Sequence, residues 1–164
     1  MRHVGRLAVL AAAIAAGTAA AAPSAEPRPC TPPEVRRAVT TFITAFNRGD
    51  RRLLASVWAA EPDFRWYSTP PPGERLRAAA QHRPSLVPYF LRRRARGERL
   101  QLTWLRVNGN TDAARPYGNF EYRLIRRAHD LAPTEYQGKG ALHCYSGRTD
   151  ELIVWSMADA VSRP

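Results

Sequence analysis

The chain has 164 residues, with 25 basic and 14 acidic side chains, two cysteines and a formal net charge of +11. All but one of the basic residues are arginine, and they are spread along the chain rather than gathered into a motif. That spread reads as composition, although a basic surface would also attract anionic lipid or polyanionic envelope polymers.

Residues 1–22 read as a signal peptide. Arg2 and Arg6 give a positive start, Leu7 to Ile14 and the alanines after them an apolar core, and Ala20-Ala-Ala22 a small-residue cleavage pattern. The uncharged stretch from Leu7 to Ala22, 16 residues, falls short of the roughly 20 that span a bilayer. No later stretch is long and apolar enough to do so. The expectation is a secreted, periplasmic or cell-envelope protein with no integral membrane segment after cleavage, and export argues against a nucleic-acid partner. Removing 22 residues from 164 leaves 142, one domain able to bury roughly two thirds of its unfolded surface. Residues 23–30 form a Pro-rich tail, 31–158 the domain and 159–164 a C-terminal tail. In an oxidising compartment Cys30 and Cys144 are expected to form a disulfide. Closing a loop of about 115 residues stabilises a fold by up to about 4–5 kcal/mol in the chain-entropy account. The alternative is two separate thiols, with Cys144 packed as a small hydrophobe.

The first predicted helix starts at Thr31-Pro-Pro-Glu34: Thr31 is the N-cap, Pro32 fills the first helical position and Glu34 completes a capping box. Val35, Ala38, Val39, Phe42, Ile43 and Phe46 recur at spacings of three and four and make one apolar stripe, while Arg36, Arg37, Thr40, Thr44 and Asn47 take the other face. Gly49 stops this helix. Asp50 caps a second one carrying Leu53, Leu54, Val57 and Trp58, which Pro62 ends, and Phe64-Arg-Trp-Tyr67 alternates as a strand. Ser68 to Gly73 is a proline loop, Glu74 to His82 a short helix, and Ser85 starts a further helix with Leu86, Val87, Phe90 and Leu91 inward. Its end, Arg92-Arg-Arg-Ala-Arg96, is a basic last turn that the helix dipole favours without any ligand.

From Leu100 the pattern becomes strand-like. Leu100, Leu102 and Trp104 alternate before Leu105 and Val107 shift phase, which predicts a bulge or a strand buried on both faces. Asn119 to Arg127 sets Phe120, Tyr122 and Leu124 against Glu121 and Arg123. Tyr136 to Tyr145 and Leu152 to Ala158 complete a meander, and residues 128–135 read as a polar connection. Helices followed by antiparallel strands give an α+β layout.

Phe46-Asn-Arg-Gly-Asp50, the Leu53-Leu54 pair and the aromatic strand after it resemble the opening of the NTF2-like (SnoaL-like) superfamily, and "GNFEYRL", "GKGALHCYSGR" and "LIVWSMA" resemble its closing strands. The resemblance implies an NTF2-like cone over residues 31–158, with N-terminal helices packed in a curved antiparallel sheet around an apolar pocket. It also implies an uncovered sheet face suited to homodimerisation, on which Gln101, Thr103, Glu121 and Arg123 would lie.

Trp58, Trp66, Tyr89, Trp104, Tyr122 and Tyr145 are the expected ligand contacts in such a pocket, core packing being the competing role for each. The catalytic candidates are His143 as a base, Asp63 as the alternative carboxylate, and Tyr67 or Tyr145 as an oxyanion-stabilising donor. The resemblance to the ketosteroid-isomerase branch fails at its catalytic Asp, whose place falls near Ser68. There is no HExxH, no CxxC, no Gly-rich phosphate loop and no G-x-S-x-G elbow. His3, His82, His129 and His143 share no metal-ligand spacing, so neither a metal nor another cofactor is expected. The preferred reading is an exported domain that binds a small apolar ligand or a partner protein without chemistry. The alternatives are a SnoaL-like isomerase, cyclase or dehydratase working by proton transfer, and a basic adhesion module for anionic polymers.

Overall fold

The computed structural model describes residues 26–59, 65–68, 83–108, 117–146 and 150–159. The expected signal peptide, Asp63, the proline loop and the helix expected over 74–82 lie outside the described residues. In chain order the elements are β1 (Pro27–Arg28), α1 (Pro32–Arg48), α2 (Arg51–Ser56), β2 (Arg65–Ser68), α3 (Arg83–Ala95), β3 (Arg99–Asn108), β4 (Tyr117–Ala128), β5 (Leu131–Tyr145) and β6 (Glu151–Asp159). The sheet runs β2-β6-β5-β4-β3, with β1 added beside β5. Pairing is antiparallel except between β2 and β6. The helices pack on one face of this sheet, as the α+β expectation requires.

Local signals set the ends of α1. The Glu34 carboxylate accepts hydrogen bonds from the Thr31 backbone N–H and hydroxyl, both at 2.8 Å. Gly49 takes a left-handed φ of 70°, a conformation that glycine adopts at little cost. Asp50 accepts from the Leu53 N–H at 2.9 Å and starts α2. The whole predicted stripe of α1 is buried. Asn47, on the other face, binds both backbone groups of Leu100: Nδ2 donates to its carbonyl at 2.8 Å and Oδ1 accepts from its N–H at 2.9 Å. β3 is an edge strand, and Asn47 meets there the groups a neighbouring strand would have taken.

The Pro-rich tail contributes a strand. Pro27 and Arg28 pair with Tyr145 and Cys144, beside a Cys30–Cys144 disulfide with a Cα–Cα separation of 5.3 Å. The phase shift in β3 is a bulge between Leu102 and Trp104. Residues 128–135 are not a polar connection: β4 and β5 meet at a short turn, with Ile125 opposite Glu135 and Ala128 opposite Leu131. Their polarity reflects an exposed end of the hairpin, not a loop. β5 also carries Gly138 and Gly140 where a Cβ would collide with Tyr122 and Phe120 respectively, so both rings lie flat across the strand. Tyr122 reaches over it to donate to the Ser156 carbonyl at 2.9 Å.

Candidate functional site

The interior between helices and sheet is aromatic. Phe42 lies at the centre, with ring centroids 5.0 Å from Trp58, 5.2 Å from Phe90 and 4.8 Å from Trp155. Tyr122 and Trp155 are 4.5 Å apart. Beside this cluster, between Phe46, Tyr89, Phe90 and Leu124, a cavity of about 10 Å³ remains, space for about one water molecule.

One end of that cavity is polar. Arg93, Glu98 and Arg126 are 1 %, 1 % and 2 % exposed. The Glu98 carboxylate accepts from Arg93 Nε and, at 2.8 Å, from Arg126 Nε. Arg93 then donates through both terminal nitrogens to Asp130 at 2.9 and 3.1 Å. Burial alone would lower the Arg126 pKa, but Glu98 offsets this and the net shift is upward. The hydrogen bond from Arg93 lowers Asp130. Tyr89 is pushed up to about 12, chiefly by burial. Arg126 lies against its hydroxyl and opposes that rise, although neither the hydroxyl nor Arg126 Nη1 completes a well-aligned hydrogen bond.

Sequence reasoning missed this cluster, though both periods carry it. Arg93 follows Leu86, Tyr89 and Phe90 on the buried face of α3, and Arg126 continues the Phe120, Tyr122, Leu124 alternation of β4. The basic turn of α3 is therefore structural: Arg93 joins the network, Arg94 donates to the Asn47 carbonyl at 2.7 Å and Arg96 faces Asp130 at 3.6 Å.

The sequence-predicted candidates divide between two faces. Trp58, Tyr89 and Tyr122 are buried in the interior. Trp104 is 45 % exposed on the outer sheet face, with the Arg123 guanidinium 5.8 Å from its ring centroid. His143 and Tyr145 alternate with buried Leu142 and Cys144 and so lie on the face of β5 opposite them. They contact each other at 3.2 Å between Nδ1 and Oη. Trp66 and Tyr67 are in β2, and Asp63 lies outside the described residues. Gln101, Glu121 and Arg123 are exposed on the outer face, with Thr103 in the bulge. There a groove of about 430 Å³ runs past Trp104, Glu121, Arg123, Gln137, Lys139 and Ser156.

No protein-family model and no curated protein matches the chain. Solved structures do match it. An NTF2-like protein with a cystatin-like fold from Novosphingobium aromaticivorans is 12 % identical, with a TM-score of 0.60 over 80 % of this chain and 82 % of that one. The fold is NTF2-like. An NTF2-like family protein from Streptomyces avermitilis, provisionally assigned as a dehydratase, is 17 % identical with a TM-score of 0.60, covering 80 % of this chain and 96 % of its own. A ketosteroid isomerase-like protein from Erwinia carotovora atroseptica is 15 % identical with a TM-score of 0.56, covering 81 % and 97 %. At these identities the likeness concerns the NTF2-like fold alone; dehydratase and isomerase chemistry belong to the names of those proteins.

Proposed function

We propose that this chain is an exported NTF2-like domain that acts by binding rather than by chemistry, and that its recognition surface is the outer face of the sheet, where a second copy docks. One observation carries the reading: among the described residues, aromatic side chains pack closely around Phe42, and the cavity beside Phe46, Tyr89 and Phe90 holds about 10 Å³. A proton-transfer enzyme needs a base and a donor facing a substrate-sized space. Among the described candidates, His143 faces away from the core and contacts Tyr145, while Glu98 is occupied by two guanidinium groups. The disulfide fits an oxidising compartment, and no helix among the described residues is long and apolar enough to cross a membrane.

The outer face supports self-association by its charge order. Arg106, Glu121 and Lys139 lie side by side across β3, β4 and β5, next to a row of Trp104, Arg123 and Gln137. A two-fold axis parallel to the strands, lying between two facing sheets, reverses this row and sets Glu121 of one copy against Arg106 or Lys139 of the other, which suits an isologous contact. The test is an amide-resolved NMR dilution series on the isotopically labelled mature chain. Concentration-dependent shifts confined to the outer faces of β3 to β5 are expected. Shifts absent there, together with exchange of the α-protons of cyclohexanone in D₂O catalysed by the protein, would overturn the reading in favour of proton transfer. The Tyr89 hydroxyl and the Arg126 guanidinium, buried side by side at the polar end of the cavity, are the specific observation behind that second reading.

A further inference from the structure

Arginines that are spread through the sequence meet at one corner of the fold. Arg99 opens β3, Arg127 lies near the end of β4, and the strand register sets them directly opposite each other. Both alternate with buried neighbours, Leu100 and Arg126, so both lie on the outer face of the sheet. Like charges directly opposite in a sheet repel and destabilise it. Arg94, in the last turn of α3, completes the group: partial burial and then the charges of Arg94 and Arg127 lower the Arg99 pKa.

A surface arginine ordinarily relieves such repulsion by swinging into water. Two of these three are held in place instead. Arg94 donates Nε to the Asn47 carbonyl at 2.7 Å, and Arg99 donates Nη1 to the Glu98 carbonyl at 2.9 Å. Arg127 is exposed, and none of the three joins an ion pair among the described residues. The acids nearby are committed elsewhere or set back. Glu98 and Asp130 serve Arg93, Arg96 and Arg126, Asp50 caps α2, and Glu135 stands one row back, opposite Ile125. Three cations therefore converge where no carboxylate answers them, and two are already ordered, which lowers the entropy cost of binding. Guanidinium groups are donors only, and their planar forks match the oxygens of a phosphate. A carboxylate offers two oxygens and one charge; a phosphate dianion offers three terminal oxygens and two charges, which suits three converging forks better.

We propose that Arg94, Arg99 and Arg127 form a surface site for one dianionic phosphate group, carried by a soluble phosphate compound or by the head of an anionic lipid. The Arg99–Arg127 pair lies two outer-face rows beyond Trp104 and Arg123. It uses none of the residues in the rows assigned to pairing, so the site stands whether or not that face pairs.

The experiment compares the mature protein with Arg127→Gln and with Arg36→Gln, a control that removes the same charge from the exposed face of α1. Each is titrated with sodium phosphate at mildly alkaline pH, where inorganic phosphate is a dianion, with ionic strength held constant by sodium chloride and backbone amides followed by NMR. Saturable shifts at residues 94, 99 and 127 are expected, with a Kd about fivefold or more weaker in Arg127→Gln and unchanged in Arg36→Gln. Without phosphate, Arg127→Gln should unfold at a higher temperature than the wild type because the cross-strand repulsion is gone, and phosphate should narrow that gap. Phosphate shifts, together with sedimentation on phosphatidylcholine vesicles containing phosphatidic acid that Arg127→Gln loses, support a lipid-borne phosphate. The same shifts with no vesicle binding, or with vesicle binding that the substitution leaves unchanged, support a soluble one. Absence of saturable shifts at the three arginines overturns the proposal. So does equal weakening by Arg36→Gln, which shows only the general attraction of a basic chain for anions, and so does an Arg127→Gln protein that melts below the wild type without phosphate.

Discussion

Glu98 accepts hydrogen bonds from two buried arginines, and removing it strands both guanidinium groups away from water. Breaking a buried ion network by deleting one partner costs about 3–5 kcal/mol. Glu98→Ala is therefore expected to lower stability by that amount in urea unfolding, far more than removal of the exposed Glu121. Gly138 is a steric counterpart. A methyl group there meets the Ser156 carbonyl and the Tyr122 hydroxyl, so Gly138→Ala is expected to cost about 1–3 kcal/mol through overpacking, read from the same unfolding curves. Glu34 brings a pH dependence. The Arg28 side chain, helped by Thr31 and opposed by a burial cost, holds its pKa at about 2 against an ordinary 4.5. A carboxylate depressed in the folded state contributes stability that is fully present above pH 4.5 and is lost as pH falls toward 2. Glu34→Gln should be less stable than the wild type at neutral pH and should lose less stability across that acid window. Caps and turns such as Thr31, Gly49 and Asp50 were legible in the sequence because their effects are local. Arg93 and Arg126 were not, because a charged residue on a buried face is tolerated only by partners distant in the chain, Glu98 and Asp130, which no period announces.

Among the elements, α1 was read almost to the residue, since an apolar stripe, a cap and a glycine stop all agree. β1 escaped notice: two residues in a Pro-rich tail have no period, and they become a strand only because Cys144 and Tyr145 lie beside them. The disulfide itself was expected, and it fastens that short strand and the start of α1 to β5. Native disulfides in small domains contribute about 2–5 kcal/mol. Reduction, or a Cys30→Ala/Cys144→Ala pair, is expected to lower stability by that amount in thermal unfolding, with the amides of β1 and the first turn of α1 losing hydrogen-exchange protection before the rest of β5. Equal loss across the sheet would show that the bond acts on the unfolded chain alone. The turn between β4 and β5 was misread because an exposed hairpin end and a loop share the same polarity; only the pairing of Ile125 with Glu135 distinguishes them.

For the whole molecule, element order identified the cone, and the structure shows what fills it. Pocket residues could be named from sequence but not sorted into lining and filling, because that depends on how closely the rings approach. Tyr122 and Phe120 approach only because Gly138 and Gly140 admit them, and Trp155 then closes over both. Trp104 lies outside, on the opposite face, owing to the bulge after Leu102. Among the described residues, a closely packed aromatic interior and an open, charge-alternating outer face together support recognition by the sheet. Sedimentation velocity on the mature chain and on Trp104→Glu, across a wide concentration range, tests this most directly. The expected result is a dimer for the wild type and a folded monomer for the variant; a wild type that stays monomeric at the highest concentration, or a dimer that survives the substitution, would contradict it.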